Sequence, residues 1–310
     1  MPRTLVDLHH SPLRVDPLGF MVSGDLRSCG KHLQYSKFWN SSASTSTKST
    51  QLPSRVGMVM AYTPSLLAGV ASFWLFSDDD NDGGIRFVML KSAITIHFLK
   101  RELEVLFLHK YSGHMLLNTA LFISSTYLTS AVSMIYFHHR VQGFPEPSVD
   151  LKYVGLSVFV VGIVGNFYHH YLLSKLRDKN DSGYKIPRGG LFGLVACPHY
   201  LFEILTFVGI SFISQTLFLY VCAVGSATVL LGRSCATRSW YRSKFEDFPK
   251  NVRALIPFCF WNTVNCVISC INFFVLAKGE KLGAFGRNAD CGVVVIVCLF
   301  SFLIAQIHLD

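Results

Sequence analysis

The sequence predicts an all-α fold, a polytopic membrane bundle of about 6–8 transmembrane helices. Hydrophobic residues make up 51% of the 310 residues and charged residues only 15%, whereas a soluble domain carries roughly 25% charged residues. The apolar residues come in long uninterrupted blocks, which excludes the alternating pattern of a membrane β-barrel. Helices satisfy their own backbone hydrogen bonds, as a lipid interior requires.

The apolar blocks locate the spans in order along the chain. Residues 56–76 and 115–137 carry no charge over about 21 and 23 residues, the length that a bilayer crossing needs. Residues 191–232 are about twice that length, with Glu203 as the one charge, so we divide them into two spans. The predicted spans are 56–76, 85–108, 115–137, 151–173, 191–211 and 213–232, with 254–277 and 291–307 as further candidates.

Positive charge falls on alternate loops. Segments 100–110, 174–190 and 233–253 are rich in Lys and Arg, whereas 77–84 and 138–150 are not. With the six spans above, every basic loop lies on one side, which is predicted to be cytosolic. The net charge of +9 is therefore first a topology signal and second an attraction to anionic lipid or a cofactor phosphate. We expect no nucleic-acid partner.

Three polar residues interrupt the apolar sequence near the cytosolic end of a span, namely Asn166, His169 and His170. Asn166 and His170 are four residues apart and share a helix face. One interpretation is a helix end in contact with lipid headgroups. The other is a functional site, which is the default hypothesis for polar groups at membrane depth. No carboxylate stands at a matching spacing, and the nine cysteines show no ligand spacing. We therefore expect no metal.

Three further motifs have two interpretations each, and a fourth has one. The basic loop 175–190 is either positive-inside charge or a phosphate clamp. Tyr200 and Glu203 lie one helical turn apart, and Glu203 needs a partner, either a basic group or a ligand. Residues 233–244 are either an interfacial belt or part of an anion site. Lys100 and Glu104 have the spacing of a helical salt bridge.

Read in order, these motifs resemble the steroid 5α-reductase superfamily. The similarity covers roughly residues 54–260 and looks most like the plant 3-oxo-5α-steroid 4-dehydrogenase family proteins. The motifs that carry it are Gly165-Asn166, His169-His170, Leu176-Arg177, Tyr184-Lys185-Ile186-Pro187-Arg188-Gly189-Gly190-Leu191-Phe192, Cys197-Pro198-His199-Tyr200, Glu203, Trp240-Tyr241, Lys244-Phe245-Glu246-Asp247-Phe248-Pro249 and Ala254-Leu255-Ile256-Pro257-Phe258.

The resemblance implies a seven-helix, multi-pass enzyme of the endoplasmic reticulum membrane that uses NADPH. Such enzymes reduce a carbon–carbon double bond conjugated to a carbonyl. His170 and Lys185 stand where relatives carry other polar residues. The cofactor-binding residues that the resemblance implies are Asn166, His170, Arg177, Tyr184, Lys185, Glu203, Arg233 and Tyr241.

The substrate half departs from the steroid enzymes. Where they carry a Gln-Glu pair, this chain reads Ala61-Tyr62, and the tyrosine that holds the steroid ketone falls at Phe98. We expect Tyr62 and Phe98 to be substrate-binding. The segment from His97 instead looks like the very-long-chain trans-2-enoyl-CoA reductase branch, whose catalytic Lys and Tyr map to Lys100 and Tyr200. An enolate formed by hydride addition needs the donor or charge that these two residues supply.

These observations divide the chain into four parts. We expect residues 1–55 to be a polar tail without a signal peptide, 56–150 to hold the spans of the substrate half, 151–260 to form the catalytic domain, and 261–310 to be an atypical hydrophobic extension. Family members normally begin with another apolar span and end near residue 258.

The predicted function is an NADPH-dependent membrane reductase of a lipid enone, of the 3-oxo-5α-steroid 4-dehydrogenase type. The first alternative is a very-long-chain trans-2-enoyl-CoA reductase of fatty acid elongation, for which elongase-type partners are expected. The second is a catalytically inactive membrane paralogue. A transporter is disfavoured because no inverted repeat is visible.

Overall fold

A computed structural model describes residues 50–76, 82–111, 113–176 and 184–256. The polar tail up to residue 49, Arg177 and the candidate spans beyond residue 256 lie outside the described residues. In chain order the elements are β1 Gln51–Pro53, α1 Ser54–Leu75, α2 Asp82–Leu103, a π-helix Glu104–Leu108, β2 His114–Leu116, α3 Leu117–Arg140, α4 Lys152–Lys175, a 3₁₀ turn Gly190–Gly193, α5 Pro198–Ser214 and α6 Leu217–Lys244.

The all-α membrane fold predicted from the sequence is confirmed, with fewer clear spans than expected. The six helices α1 to α6 occupy the six segments predicted as spans. Within the described residues, four of them (α1, α3, α4 and α6) are long and apolar enough to cross a membrane, fewer than the predicted 6–8. Helix α2 carries six charged residues. Helix α5 has only 17 residues because it starts at Pro198, a residue favoured in the first helical turn.

Among the described helices, α4 and α5 make the most extensive contact with each other. A Cβ atom placed at Gly162 would lie 2.5 Å from the amide nitrogen of Thr206, and one at Gly209 would lie 2.4 Å from that of Phe159. Small residues let membrane helices approach this closely because backbone packing replaces side-chain packing. The glycines therefore fix the spacing between the two helices.

A two-stranded antiparallel sheet joins the starts of α1 and α3. Strand β1 pairs with β2, with Gln51 opposite Leu116 and Pro53 opposite His114. Just before α5, a parallel bridge links Val195 to Arg253. The segment that follows α6 is thereby fixed beside the start of α5.

At the end of the bundle away from the β1–β2 sheet, the Arg86 side chain contacts three elements. Its side chain is 4% exposed, and Nη2 lies 2.7 Å from Glu146 Oε2 and 2.8 Å from Asp150 Oδ1. Nη1 donates to the carbonyl oxygen of Ile213 at 2.8 Å and to Gln215 Oε1 at 2.9 Å. A buried guanidinium needs such partners because an unpaired charge in the interior is strongly destabilising. Arg86 thus anchors the α3–α4 loop to α2 and to the α5–α6 turn.

Asp150→Asn is expected to lower the thermal stability of the protein at neutral pH. Partial desolvation would raise the pKa of Asp150, but hydrogen bonds from Lys152 and the charge of Arg86 outweigh it and lower this pKa below 3.8. A carboxylate with a lowered pKa stabilises the folded state above its unfolded pKa and loses that effect as the pH falls through the folded value. The melting temperatures of the wild type and the variant should therefore converge below about pH 4.

Thermal unfolding of detergent-purified protein across pH tests this. Asp247→Asn, which changes an exposed carboxylate, is the matched control and should leave the melting temperature unchanged. A stability difference between wild type and Asp150→Asn that does not vary with pH would contradict the role given to Asp150.

Candidate active site

Polar side chains from α2, α4 and α5 meet at the basic end of the bundle. Lys100 Nζ donates directly to Asn166 Oδ1. Asn166 Nδ2 in turn donates to the main-chain oxygen of His199 at 2.7 Å. Asn166 is 1% exposed. A single amide therefore connects Lys100 to the residue before Tyr200.

Glu104 is the negative centre of this region. It is 1% exposed, with Lys100 Nζ 3.2 Å from Oε1 and Arg101 Nη1 3.3 Å from Oε2. His170 Nδ1 lies 3.0 Å from Oε2. Residues three and four apart share a helix face, which explains why both cations reach Glu104. The predicted Lys100–Glu104 pair is present, as one part of a larger network. Glu104 also begins the π-helix, a feature often found at functional sites.

Glu203 faces the same region from α5. Its side chain is 13% exposed, and Oε1 lies 3.6 Å from His97 Nε2. Within the described residues, His97 Nδ1 is buried and has no hydrogen-bond partner. Buried polar atoms are normally satisfied, so this nitrogen is available to a bound molecule. The region combines acceptors with neighbouring cationic donors, which is the chemistry that carboxamide, ribose and phosphate groups require.

The two adjacent histidines of α4 make different contacts. His169 Nδ1 is 2.7 Å from the carbonyl oxygen of Gly165, and His169 Nε2 accepts from the Leu191 amide at 3.1 Å. Gly190 approaches the His169 ring so closely that a Cβ would lie 2.7 Å from Nε2, and its φ is +51°. Glycine tolerates that conformation. His169 therefore holds the loop before α5, whereas His170 joins the charged network.

Tyr200 and Arg233 come together from α5 and α6. Arg233 Nε donates to Tyr200 Oη at 3.4 Å, a long hydrogen bond. The Tyr200 ring lies 4.3 Å from that of His199. His199 contacts both the Tyr200 ring and, through its main-chain oxygen, Asn166. It therefore connects the Tyr200–Arg233 pair to the Lys100–Asn166 contact.

Two further predicted cofactor residues, Tyr184 and Tyr241, lie in an aromatic cluster beside the end of α6. Tyr184 packs on Trp240 with ring centroids 4.9 Å apart. Tyr241 packs in the same cluster, with its ring 5.2 Å from that of Trp240. Lys185 is exposed to solvent. The fold thus brings Lys100, Asn166, His170, Glu203, Tyr200 and Arg233 into one region, with Tyr184 and Tyr241 in a neighbouring cluster.

Tyr62 and Phe98 are buried beside the charged network, 2% and 5% exposed. Both rings lie against Tyr127, at centroid distances of 5.3 and 6.0 Å. Arg101 Nη2 donates to Tyr62 Oη at 2.6 Å. Arg101 and His97 were not among the predicted site residues. The i, i+3 spacing of Arg101 and Glu104 was the sequence signal that could have identified Arg101.

Glu104, His109 and His170 place three ligand atoms within 4.8 Å of one another, close enough to hold a metal ion. Two cations already contact the carboxylate of Glu104. Burial, together with the charges of Arg101 and Lys100, lowers the pKa of His109 to about 4. The positive charges of Lys100 and Arg101 beside the Glu104 carboxylate disfavour a divalent cation there. We therefore interpret these residues as a charge network.

Residues 111–260 match the family described as 3-oxo-5-alpha-steroid 4-dehydrogenase. A very-long-chain enoyl-CoA reductase of Dictyostelium discoideum is 32% identical over 165 residues, 53% of this chain and 55% of that protein. Steroid 5-alpha-reductase DET2 of Gossypium hirsutum is 45% identical over 112 residues, 34% of this chain and 42% of that protein.

A further relative is matched over a larger share of its length. The 3-oxo-5-alpha-steroid 4-dehydrogenase 1 of Bos taurus is 30% identical over 172 residues, 55% of this chain and 67% of that protein. The chain spans about half the length of the other two relatives.

Proposed function

The chain belongs to the 3-oxo-5-alpha-steroid 4-dehydrogenase family, and from that membership we propose that it is an NADPH-dependent membrane reductase. Its substrate is a lipid with a carbon–carbon double bond conjugated to a carbonyl. The observation that carries this proposal is the buried chain of contacts from Lys100 through Asn166 to His199, the neighbour of Tyr200. Polar groups at membrane depth are expensive and mark functional sites.

The cofactor site is assigned to the residues around this network. Asn166, His170 and Glu203 supply an amide, an imidazole and a carboxylate, a set suited to a carboxamide and ribose hydroxyls. Arg233, with Arg177 and Lys185 in the basic loop, supplies charge for phosphates. Tyr184 and Tyr241 supply aromatic surface. When bound, NADPH would supply a hydride to the β-carbon of the substrate.

Lys100 and Tyr200 are assigned the catalytic roles. As negative charge develops on the carbonyl oxygen, a nearby donor or cation stabilises it, and Lys100 provides charge in a site shielded from water. Tyr200 supplies a proton from Oη. Arg233 donates to that oxygen, which stabilises the phenolate that proton transfer leaves. Closure of the site among helices excludes water and strengthens these interactions.

Two substrate classes fit this chemistry. A steroid-like 3-oxo-4-ene is favoured by the family match, in which the relatives carry steroid reductase names. A long-chain 2-enoyl-CoA is favoured by the similarity to an enoyl-CoA reductase and by Phe98, which has no hydroxyl for a steroid ketone. The endoplasmic reticulum membrane is the proposed location, with elongase-type partners under the second substrate class.

NADPH oxidation by purified full-length protein in lipid nanodiscs tests the proposal. Testosterone and trans-2-hexadecenoyl-CoA are the two probes, and their saturated counterparts are the controls. We expect loss of reduced-nicotinamide absorbance with one conjugated probe and none with either saturated control. Failure to bind NADPH would refute the proposal and favour a catalytically inactive paralogue.

A further inference from the structure

The start of α1 is a surface feature that the proposed mechanism does not use. Helix α1 begins at Ser54 with Pro53 as its N-cap, no side chain caps it, and its first turn holds no acidic residue. The first amides of a helix have no partner within the helix and form its positive end. Such an end favours a bound anion when other groups beside it also favour one.

The hydroxyl group of Ser54 is a second, independent observation at this position. Ser54 is 4% exposed. Its amide donates to the carbonyl oxygen of Gly113 at 3.2 Å. Within the described residues, however, Ser54 Oγ is buried and has no hydrogen-bond partner. Buried hydroxyl groups are normally satisfied, and an anionic oxygen at the start of α1 would supply the missing acceptor.

Three exposed basic side chains lie beside the start of α1. Arg55 Nη2 donates at 3.4 Å to the carbonyl oxygen of His109, in the peptide group that joins His109 to Lys110. His114 lies on β2, which pairs with β1 directly before the helix. Arg55, Lys110 and His114 are all exposed. Guanidinium, ammonium and imidazole groups are all donors to phosphate oxygens.

The flanking sequence does not offset this positive charge. Residues 50–76 and 105–145 contain no Asp or Glu. A cation in the first turn of a helix opposes the helix dipole, so Arg55 is unfavourable there unless an anion binds. Membrane topology explains basic residues at this end of the bundle. It explains neither a cation in the first turn of α1 nor the Ser54 hydroxyl without a partner.

This surface is separate from the one assigned to the cofactor. Helix α1 packs on α2 and α3. The proposed cofactor residues lie on α4, α5 and α6 and in the loop before α5. Two anionic molecules can therefore reach the site from the same end of the bundle.

The distance from the catalytic residues to this surface matches the arm of a coenzyme A thioester. The helical stretch from Lys100 to Leu108 is about 12 Å long at about 1.5 Å per residue. The pantetheine arm has about thirteen bonds between sulfur and phosphorus, the length of about four extended residues or about 14 Å. His109, which Arg55 contacts, has its ring 4.9 Å from that of His170. The surface at α1 is therefore continuous with the charged network.

We propose that the start of α1, with Arg55, Lys110 and His114, binds the phosphate groups of a coenzyme A thioester substrate. This inference rests on the proposed reductase function and names its substrate class, a long-chain 2-enoyl-CoA. A steroid has no anionic group to occupy this surface. Lipid headgroups carry the same phosphate chemistry, so the experiment must separate these two sources.

Equilibrium binding of saturated esters tests the inference without turnover. The probes are hexadecanoyl-CoA and S-hexadecanoyl-N-acetylcysteamine, which keeps the acyl thioester and lacks the phosphates. In phosphatidylcholine nanodiscs we expect Arg55→Gln to raise the Kd for hexadecanoyl-CoA by about 10-fold, the equivalent of one hydrogen bond to a charged group. The Kd for the N-acetylcysteamine ester should not change. With trans-2-hexadecenoyl-CoA as substrate, KM should rise by a similar factor at unchanged kcat.

Two further variants separate ligand binding from folding. Ser54→Ala removes a buried hydroxyl that has no partner in the described structure, so its melting temperature should be unchanged or higher. Its Kd for hexadecanoyl-CoA should nevertheless rise by about 2–10-fold. Lys250→Gln, which removes an exposed positive charge after α6, is the matched control and should bind both esters like the wild type.

A lipid arm distinguishes coenzyme A phosphates from headgroups. Native mass spectrometry counts the phosphatidylserine molecules that the protein retains from mixed phosphatidylcholine–phosphatidylserine nanodiscs. We expect wild type and Arg55→Gln to retain equal numbers. Fewer retained lipids in Arg55→Gln, together with an unchanged Kd for hexadecanoyl-CoA, would assign the surface to headgroups and overturn the inference.

The outcomes also distinguish this inference from the proposed function. If the wild type oxidises NADPH with neither testosterone nor trans-2-hexadecenoyl-CoA, the reductase function fails, whatever the binding measurements show. If the wild type is active but Arg55→Gln and Ser54→Ala both bind hexadecanoyl-CoA as tightly as the wild type, the phosphate site is overturned and the reductase function stands.

Discussion

Tyr200→Phe is expected to lower kcat for the conjugated lipid by about 10²–10⁴-fold, the range for loss of a general acid. The substitution keeps the ring, which packs 4.3 Å from His199, and removes the hydroxyl to which Arg233 donates. The proton needed at the α-carbon then has no side-chain source at this position. Steady-state NADPH oxidation in nanodiscs measures the effect.

The same variant should bind NADPH with unchanged affinity, because the proposed cofactor contacts are made by other side chains. Tyr153→Phe, which removes an exposed hydroxyl on the same bundle, is the matched control and should keep wild-type kcat. A Tyr200→Phe enzyme with wild-type turnover would remove Tyr200 from the mechanism.

Gly209→Ala is expected to destabilise the bundle by about 1–3 kcal/mol, the usual range for overpacking. The added Cβ would lie 2.4 Å from the backbone nitrogen of Phe159 and 2.8 Å from the carbonyl oxygen of Gly155. Backbone atoms cannot rotate away as a side chain can, so α4 and α5 must separate. Separation would also lengthen the Asn166–His199 hydrogen bond that spans these helices. Both the melting temperature and kcat should therefore fall.

Gly232→Ala is the matched control for this variant. A Cβ at Gly232 meets nothing within 4 Å, and alanine favours a helix over glycine by about 1 kcal/mol. Gly232→Ala should therefore leave stability unchanged or raise it. Equal melting temperatures for the two variants would show that the α4–α5 contact is looser than 2.4 Å implies.

Much of the fold could be predicted from the sequence because membrane spans are a local property. The uncharged block 56–76 corresponds to α1 at Ser54–Leu75, and the block 151–173 corresponds to α4 at Lys152–Lys175. The prediction was less accurate for the span 191–211, whose helix begins seven residues later, and for the span 213–232, whose helix continues to Lys244. A hydrophobicity pattern could not show where α5 begins. Gly190 and Pro198 affect the backbone conformation there through their φ angles and not through their polarity.

Only part of the candidate site could be predicted from the sequence in the same way. Asn166, Tyr200 and Glu203 stand out as polar groups in apolar sequence, whereas the catalytic roles of Lys100 and Tyr200 were predicted from the family resemblance. Helical spacing correctly paired Lys100 with Glu104. Spacing within one helix carries no information about other helices, so the contacts of Arg101 with Tyr62 on α1 and His170 on α4 were not foreseen.

The sequence by itself determined the class of fold, the positions of the helices and the polar residue types at one end of the bundle, because length, charge and periodicity are local. Only the tertiary structure decided which of these groups meet. Glycines at the α4–α5 contact bring Asn166 within 2.7 Å of His199, and packing of α1 on α2 brings Tyr62 to Arg101. Such pairings depend on backbone distances between helices, which are set by packing between segments far apart in the chain.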